Sequence, residues 1–218
     1  MNTSKISVEL IDHMGSDVNI VNAARVSFDK QVSEMSDRDE KLMQYLADHN
    51  HWSPFAHTSI TVKCKAPLFL ARQLVKHQVG GSWNEVSRRY VDSEPEFYLP
   101  SKYHGRPDNK KQGSGTELDP DASAMVMSAI VTISANALSI YQTLLEDGLA
   151  PEEARMVLPL NTMTEWYWTG SVVFFARVFN LRADSHAQLA AQEFAHKLSD
   201  EVKDVYPTAW KVLTNVES

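Results

Sequence analysis

Residues 58–78, TSITVKCKAPLFLARQLVKHQ, carry the clearest structural signal in this chain. From Thr58 to Lys65 apolar and polar residues alternate, which is the period of a strand with one buried face. Pro67 suits the first position of a helix, and we predict a helix from Leu68 to about Gln78, ended by Gly80-Gly81. The stretch therefore predicts a strand that leads directly into a helix.

The helix predicted over 68–78 leads into a cluster of charged and polar residues, RQLVKHQVGGSWNEVSRRY at 72–90. Phe69, Gln73 and Lys76-His77 fall on one helix face, so the last two turns are predicted to face a site. In an acidic protein such a cluster indicates an anionic, polar ligand, because arginine pairs bidentately with phosphate. A solvated, salt-bridged helix end explains the spacing equally well. The sequence contains neither a GxGxxG loop nor a GxxxxGK loop followed by Ser or Thr. Side chains, rather than a helix N-terminus, would therefore bind the phosphates of a nucleotide.

Composition limits the classes of protein that fit. The chain has 218 residues, a net charge of -7 and 43% hydrophobic residues. This length predicts a single domain, residues 1–218, with a sizeable core. The negative charge argues against nucleic acid or a membrane as partner, but allows a local cationic pocket for a small phosphate. We find no run of 18 apolar residues and no leader pattern, so a cytoplasmic protein is expected.

Cys64 is the only cysteine, which excludes a disulfide framework and a cysteine zinc site. It lies on the apolar side of the strand predicted over 58–65. A free thiol in that position is more often an inert part of the core than a nucleophile. We therefore expect Cys64 to be structural.

The other predicted elements extend from this centre in both directions. Ser36 with Asp39 forms a capping box that predicts a helix start. Residues 101–123, rich in Gly, Pro, Lys, Asp and Ser, predict a long, mobile surface loop. The remaining predictions are strands over 6–10 and 162–169, and helices over 18–26, over 124–147, from Pro151, over 172–179 and over 184–205. Together they predict an α/β fold of the α+β type, a mostly antiparallel sheet flanked by helices.

Five blocks of the sequence resemble, in the same order, motifs of the flavin-dependent thymidylate synthase family. Asn84–Tyr90, NEVSRRY, matches the pattern N-E-[LV]-S-x-R-Y, which closes the family signature of RHR, seven residues and Ser. The other blocks are HWSPF at 51–55, KAPLF and ARQ within 65–73, ARMVLP at 154–159 and NLRADSHAQ at 180–188. Ordered blocks over most of the chain make the match specific.

The signature itself departs from the family pattern. Lys76 and Gln78 stand where the family has two arginines, so only His77 is retained. One extra residue separates His77 from Ser87, and Gly80-Gly81 absorbs it. Lysine keeps the charge but loses the bidentate fork, so looser contacts with phosphate or flavin are expected at residue 76.

Two further positions differ near the expected flavin site. Ala56 stands where the family often has a glutamate, and Val173 where it often has an arginine. Arg177 follows Val173 by four residues and shares its face if this stretch is helical. We hypothesise that Arg177 takes over the missing contact with the cofactor.

The resemblance implies an enzyme that methylates dUMP to dTMP. Methylenetetrahydrofolate would donate the carbon, and NADPH would supply reducing equivalents through bound FAD. It also implies a homotetramer with active sites shared between subunits, without a metal ion. In the family the arginine of NLRADSHAQ activates the uracil ring, which assigns Arg182 as the catalytic residue and requires no cysteine nucleophile.

The resemblance, together with side-chain chemistry, assigns the remaining site residues. A nucleotide phosphate requires cations, for which Arg89 and Arg155 are candidates. Trp83 and Tyr90 either stack on a flat ring or belong to the core. The predicted substrate-binding residues are Gln73, Lys76, Glu85, Ser87, Arg88, Arg89, Arg155 and Arg182. The predicted flavin-binding residues are His51, Ser53, Lys76, His77, Gln78, Glu85, Arg177 and Asn180.

Two other classes of protein stay open at this point. Residues 48–51, DHNH, resemble a fragment of a His-Asn-His nuclease, but no HxxxH or CxxC pair supports a metal site. A module for single-stranded nucleic acid would use Arg88, Arg89, Trp83 and Tyr90. The negative net charge and the lack of an extended basic stripe count against that module.

Overall fold

A computed structural model describes residues 1–91, 93–107 and 113–216. The strands in these residues are β1 (Asn2–Thr3), β2 (Ser7–Met14), β3 (Ser59–Pro67), β4 (Gly81–Glu85), β5 (Glu96–Phe97) and β6 (Met163–Gly170). The helices are α1 (Asp17–Arg25), α2 (Asp37–Asp48), α3 (Leu68–Leu74), α4 (Pro120–Glu146), α5 (Pro151–Ala154), α6 (Val172–Arg182), α7 (Leu189–Lys203) and α8 (Pro207–Thr214).

Four strands form an antiparallel sheet in the order β2-β3-β6-β4, and β1 pairs with β5 in parallel. The predicted α/β class and mostly antiparallel sheet are confirmed. The alternation predicted for residues 58–65 places successive side chains on opposite faces of the sheet, one buried and one carrying charged residues. Cys64 lies opposite Trp166 with both side chains buried, whereas Lys63 and Glu165 form an ion pair at 3.0 Å on the other face. Cys64 is buried, as expected of a core thiol, and burial raises the pKa of that thiol.

Helices α6 and α7 pack against the buried face of the sheet, and α8 packs on these two helices. Trp166 stacks on Phe194 with ring centroids 5.9 Å apart, and Trp168 meets Phe174 edge to face at 5.4 Å. Each large side chain of this kind contributes about 1.5–3 kcal/mol by leaving water. This aromatic cluster therefore fixes the position of α6, which carries the predicted site residues Arg177, Asn180 and Arg182.

Capping signals in the sequence fix several helix starts. The predicted capping box of Ser36 and Asp39 is present at α2. A second box, Ser16 with Asn19, opens α1. Asp119 accepts a hydrogen bond from the Ala122 N–H, and α4 begins at Pro120, four residues before the predicted start. A proline at the first helical position explains this earlier start.

The prediction for α3 is wrong at its C-terminus. The helix ends at Leu74 rather than near Gln78, and the His77 N–H donates to the Leu74 carbonyl in a turn. The chain must reverse here to enter β4, a strand that the sequence analysis did not identify, and Gly80 adopts a φ of 88° in that turn. Lys76 and His77 therefore lie beyond the helix and not on its last two turns.

The C-terminal helices also differ from their predicted bounds. Helix α6 extends to Arg182 rather than ending near residue 179. The helix predicted over 184–205 begins only at Leu189, because the Asp184 carboxylate accepts from the His186 N–H and forms a turn instead. Pro207 then starts α8, which was not predicted.

The loop predicted over 101–123 is shorter than expected. Residues 101–107 and 113–119 form no helix or strand beyond an isolated bridge between His104 and Glu117. The centre of the predicted loop, 108–112, lies outside the described residues. Its mobility stays a prediction.

Helix α4 is unusual in being both apolar and exposed. Its most apolar 18-residue window has a mean hydropathy of 1.6 and is 17% buried, so by length and composition it is able to cross a membrane. Ile133 and Ile140, seven residues apart, are 62% and 51% exposed. A single such helix is weak support for a membrane span, because a helix covered by other protein has the same composition. An exposed apolar surface of this kind is typical of a contact with protein or lipid.

Candidate functional site

Three cavities contain half of the predicted site residues. The Arg182 cavity, of about 480 Å³, is lined by Gln73, Gly113, Asn180, Leu181, Arg182, Asp184, His186, Ala187 and Gln188. The Arg155 cavity, of about 420 Å³, includes Glu85, Arg88 and Arg155. The Trp52 cavity, of about 200 Å³, includes Trp52, Val173, Arg177 and Asn180. Asn180 thus lines both the Arg182 and the Trp52 cavities.

Arg182 lies at the C-terminal end of α6, where it meets the turn after α3. Its Nε–H donates to Nε2 of His77 at 3.0 Å. Among the described residues Arg182 forms no ion pair with Asp184, whose carboxylate accepts from the His186 backbone N–H at 2.7 Å. Burial lowers the pKa of the Arg182 guanidinium, which indicates a cation held partly out of water.

Gln73 reaches the same cavity from α3. Its side-chain oxygen Oε1 is buried and has no hydrogen-bond partner in the protein. Buried polar atoms are nearly always paired, so this oxygen indicates a donor supplied by something outside the described chain. Gln73 and Arg182 are therefore brought together as predicted, one as an acceptor and the other as a cation.

Sequence reasoning missed two titratable residues of this cavity, Asp184 and His186. The Asp184 carboxylate lies 2.9 Å from Nδ1 of His186. Both residues lie within the NLRADSHAQ block at 180–188. The motif that identified Arg182 could therefore have identified them as well. The backbone turn that they form holds the chain after α6 against the cavity.

The Arg155 cavity collects three predicted substrate-binding residues. Glu85 at the end of β4 is fixed on both oxygens, by Trp83 Nε1 at 3.1 Å and by Thr164 Oγ1 at 2.8 Å. Arg88 donates to the Ser93 carbonyl, and Arg155 Nε donates to the Glu152 carbonyl at 3.1 Å. The cavity combines acidic walls with three cations, Lys65, Arg88 and Arg155.

Ser87 and Arg89 lie beside this cavity without lining it. Arg89 Nε donates to Ser87 Oγ at 3.0 Å, and the guanidinium lies 4.8 Å from the centre of the Tyr90 ring. Tyr90 is 76% exposed. Trp83, in contrast, stacks on Trp166 with centroids 4.2 Å apart, so it is a core aromatic and not a stacking surface for a ligand. A single-stranded nucleic acid module loses one of its two aromatics on this ground.

The Trp52 cavity brings together the residues hypothesised to replace the missing arginine. Val173 is 7% exposed, and Arg177, one turn later on α6, is exposed. The Arg177 guanidinium lies 6.0 Å from the centre of the Trp52 ring. His51, Trp52 and Ser53 line an adjoining shallow groove. Trp52 itself was missed, although it lies in the quoted HWSPF block.

Lys76 and Gln78 are not brought to any of these three cavities. Both side chains are exposed on the turn between α3 and β4. His77, between them, is half-buried and points toward Arg182. The substitutions of the family arginines therefore fall on the exposed side of the turn, and the retained histidine falls on the buried side.

The histidines near residue 50 do not form a metal centre. His49 Nδ1 lies 2.8 Å from the Tyr45 carbonyl, and the ring centroids of His49 and His51 are 6.3 Å apart. Across the described ranges 1–91, 93–107 and 113–216, we find no group of three or more His, Cys, Asp or Glu side chains able to hold a metal ion.

The fold is of the α/β class, and its two larger cavities carry arginine side chains of the kind that pair with phosphate. The chain matches the family model of the thymidylate synthase complementing protein over residues 9–208, and it belongs to that family. It is 38% identical over 200 residues to the flavin-dependent thymidylate synthase of Thermosipho africanus, covering 92% of this chain and 87% of the relative. The enzyme of the same name from Thermotoga neapolitana is 38% identical over 204 residues, covering 94% and 88%.

Solved structures agree with these relatives. The UMP/dUMP methylase PolB from Streptomyces cacaoi, bound with 5-Br dUMP, has a TM-score of 0.86 and 30% identity, covering 98% of this chain and 96% of that one. A structure of PolB bound with 5-Br UMP also has a TM-score of 0.86. The resemblance seen in the sequence, its enzyme class and its flavin dependence are confirmed.

Proposed function

We propose that this protein converts dUMP to dTMP, with methylenetetrahydrofolate as carbon donor and NADPH as reductant through bound FAD. The observation that carries the proposal is the Arg182 cavity, where a partly desolvated guanidinium and the unpaired Gln73 oxygen share one space. Its volume of about 480 Å³ lies in the range of small-molecule sites.

Arg182 is proposed as the catalytic residue. Uracil must become electron-rich at C5 before that carbon attacks the methylene group. A guanidinium placed against a ring carbonyl and N3 favours the ionised ring, because positive charge stabilises the negative charge that develops there. Partial burial strengthens this effect by reducing the local dielectric constant.

The phosphate is proposed to bind the cations of the Arg155 cavity. Arg88 and Arg155 line it, and Arg89 with Ser87 lies beside it. A charge-assisted hydrogen bond contributes about 1.5–3 kcal/mol, so two or three approach the roughly 8 kcal/mol of micromolar binding. Within one chain these cations line a different cavity from Arg182. A homotetramer that shares its sites between subunits, as proposed here, unites residues from separate chains.

The exposed apolar side of α4 supports assembly. Ile133 and Ile140 lie on the same side of a helix that has little cover within the chain. A second copy of the chain that packs on this side removes it from water, and no membrane is then needed. We propose the cytoplasm as the location of the enzyme and a nucleotide, not nucleic acid, as its ligand.

The residues of the Trp52 cavity fit a flavin nucleotide. Arg177 supplies a cation for a pyrophosphate, and Trp52 supplies a flat apolar surface for a ring. Asn180 Nδ2 donates to the Leu213 carbonyl at 2.8 Å, which fixes its amide and leaves Oδ1 as an acceptor. His51 and Ser53 extend the surface. Bound FAD supplies hydride transfer, while these side chains bind and orient it.

The test is dTMP formation by purified protein given dUMP, methylenetetrahydrofolate and NADPH, with and without added FAD. We expect product that depends on FAD. UMP is assayed in parallel, because PolB was solved with analogues of both nucleotides. An absence of dTMP under anaerobic conditions with saturating FAD would refute the proposal.

A further inference from the structure

The hydrogen bond between Arg182 and His77 joins two distant parts of the chain. Arg182 ends α6, and His77 stands in the turn between α3 and β4, 105 residues earlier. The Arg182 Nε–H donates to His77 Nε2 at 3.0 Å. Within the described part of the chain, the two Nη groups of Arg182 have no protein acceptor, so they are the donors left for the cavity.

The direction of this bond fixes the protonation state of His77. A guanidinium has only donors, so Nε2 must be the acceptor. The ring is then neutral and carries its proton on Nδ1. Protonation of Nε2 would remove the acceptor and set two cations against each other.

His77 is held firmly enough to orient its partner. Its backbone N–H donates to the Leu74 carbonyl at 3.0 Å, and its half-buried ring lies 6.4 Å from the centre of the Trp168 ring in the core. Arginine, in contrast, has a long side chain with about 2 kcal/mol of rotamer entropy. A fixed acceptor at Nε restricts the guanidinium to one plane.

We propose that His77 is a positioning residue for catalysis, whose neutral imidazole holds Nε of Arg182 and thereby directs the Nη groups at the substrate ring. This inference rests on the proposed function. It assigns the one retained residue of the RHR triplet to Arg182, in addition to the flavin contact that the resemblance implies.

The electrostatic surroundings agree with a neutral His77. Burial, and then the Arg182 charge, lower the pKa of the imidazole. Lys76 beside it is exposed, and the Asp184 carboxylate, on the segment after α6, is paired with His186. No described carboxylate forms an ion pair with His77 that would favour its charged form.

A double-mutant cycle on the FAD-loaded enzyme tests the proposal. The variants are His77→Ala, Arg182→Ala and the double variant, with calorimetric Kd for dUMP and kcat as readouts. A positioning residue acts through its partner. We expect His77→Ala to lower kcat about tenfold or more in the wild-type background and to have no further effect once Arg182 is alanine.

A conservative variant separates positioning from general damage. His77→Gln keeps a neutral acceptor near Nε2, so it should restore most of kcat relative to His77→Ala. His196→Ala, an exposed histidine on α7, is the matched control and should behave as wild type. Flavin fluorescence measures FAD affinity in every variant, and circular dichroism shows whether each one folds.

The outcomes distinguish this inference from the proposed function. If wild type forms no dTMP, the proposed function fails, and the cycle in dUMP affinity still tests the coupling. Equal, independent effects of the two substitutions would overturn the positioning role. So would a loss of activity in His77→Gln as large as in His77→Ala, or a loss explained entirely by weaker FAD binding. A wild type that binds no dUMP overturns both.

Discussion

The ring of Phe174 lies directly against Gly81, at the start of β4. A Cβ built on Gly81 would be 2.8 Å from Cε2 of Phe174, closer than side chains approach one another. Gly170 contacts the same ring from β6, where a Cβ would lie 2.9 Å from Cγ. The extra glycine in the signature loop and the glycine before α6 are thus two parts of one packing arrangement.

We expect Gly81→Ala to destabilise the protein by about 1–3 kcal/mol, the usual cost of overpacking a core. The free energy of unfolding in urea measures it. The double variant Gly81→Ala with Phe174→Leu should recover part of the loss, because a smaller side chain relieves the contact. Gly105→Ala is the control, since its nearest neighbour lies at an ordinary 3.7 Å. Equal stability of Gly81→Ala and Gly105→Ala would contradict the packing argument.

Asp17 should matter more to stability than an ordinary surface aspartate. It is 5% exposed and accepts from the backbone N–H groups of Thr208 at 2.8 Å and Ala209 at 3.1 Å, which caps α8 from another helix. Asp17→Ala leaves both donors unpaired, so we expect a loss of about 1–3 kcal/mol in thermal or urea unfolding. Asp204→Ala, at an exposed aspartate, should change little. A smaller loss for Asp17→Ala than for the control would show that water replaces the cap.

The free energy of unfolding should depend on pH through the protonation of His77. Its pKa lies below the ordinary value of 6.5, so the unfolded chain takes up the proton more readily than the folded one. The contribution of neutral His77 is complete above about pH 6.5 and is lost as the pH falls through the folded pKa. Between about pH 7.5 and about pH 5.5, we expect wild type to lose more unfolding free energy than His77→Gln, by at most about 1.4 kcal/mol per unit of pKa difference. Identical pH profiles of the two proteins would exclude this contribution.

Arg177→Ala should weaken FAD binding about tenfold, because a charge-assisted contact contributes about 1.5–3 kcal/mol. The FAD affinity of Arg177→Lys should lie between those of wild type and Arg177→Ala, since lysine keeps the charge but stacks less well on Trp52. Quenching of flavin fluorescence gives the affinities, and Lys197→Ala on α7 controls for the loss of one positive charge. Unchanged FAD affinity in Arg177→Ala would disprove the compensation for Val173.

Charged substitutions on the exposed apolar side of α4 should weaken the oligomer. We expect Ile133→Lys together with Ile140→Lys to shift the mass measured by light scattering toward smaller species, because two charges would be buried at an apolar contact. Gln142→Lys adds a charge on another side of α4 and should leave the mass unchanged. A tetramer that survives the double substitution would place the interface elsewhere.

Local patterns in the sequence were sufficient for much of the fold. The alternation at 58–65 gave β3 and its buried Cys64, and the Ser36 box gave the start of α2. These features depend on side-chain period and on caps, which act within a few residues. Arg182, Gln73 and Arg155 were found through quoted motifs, and the structure places all three in cavities.

By itself, the sequence determined the family, three of the four strands of the main sheet and a set of candidate residues for nucleotide binding, because each depends on short-range order along the chain. The tertiary structure decided which of them meet. The end of α3, the unpredicted β4 and the contact between His77 and Arg182 depend on contacts between residues far apart in sequence. The same contacts separate His77 from Lys76 and Gln78, because the turn that buries one side chain leaves its neighbours in solvent.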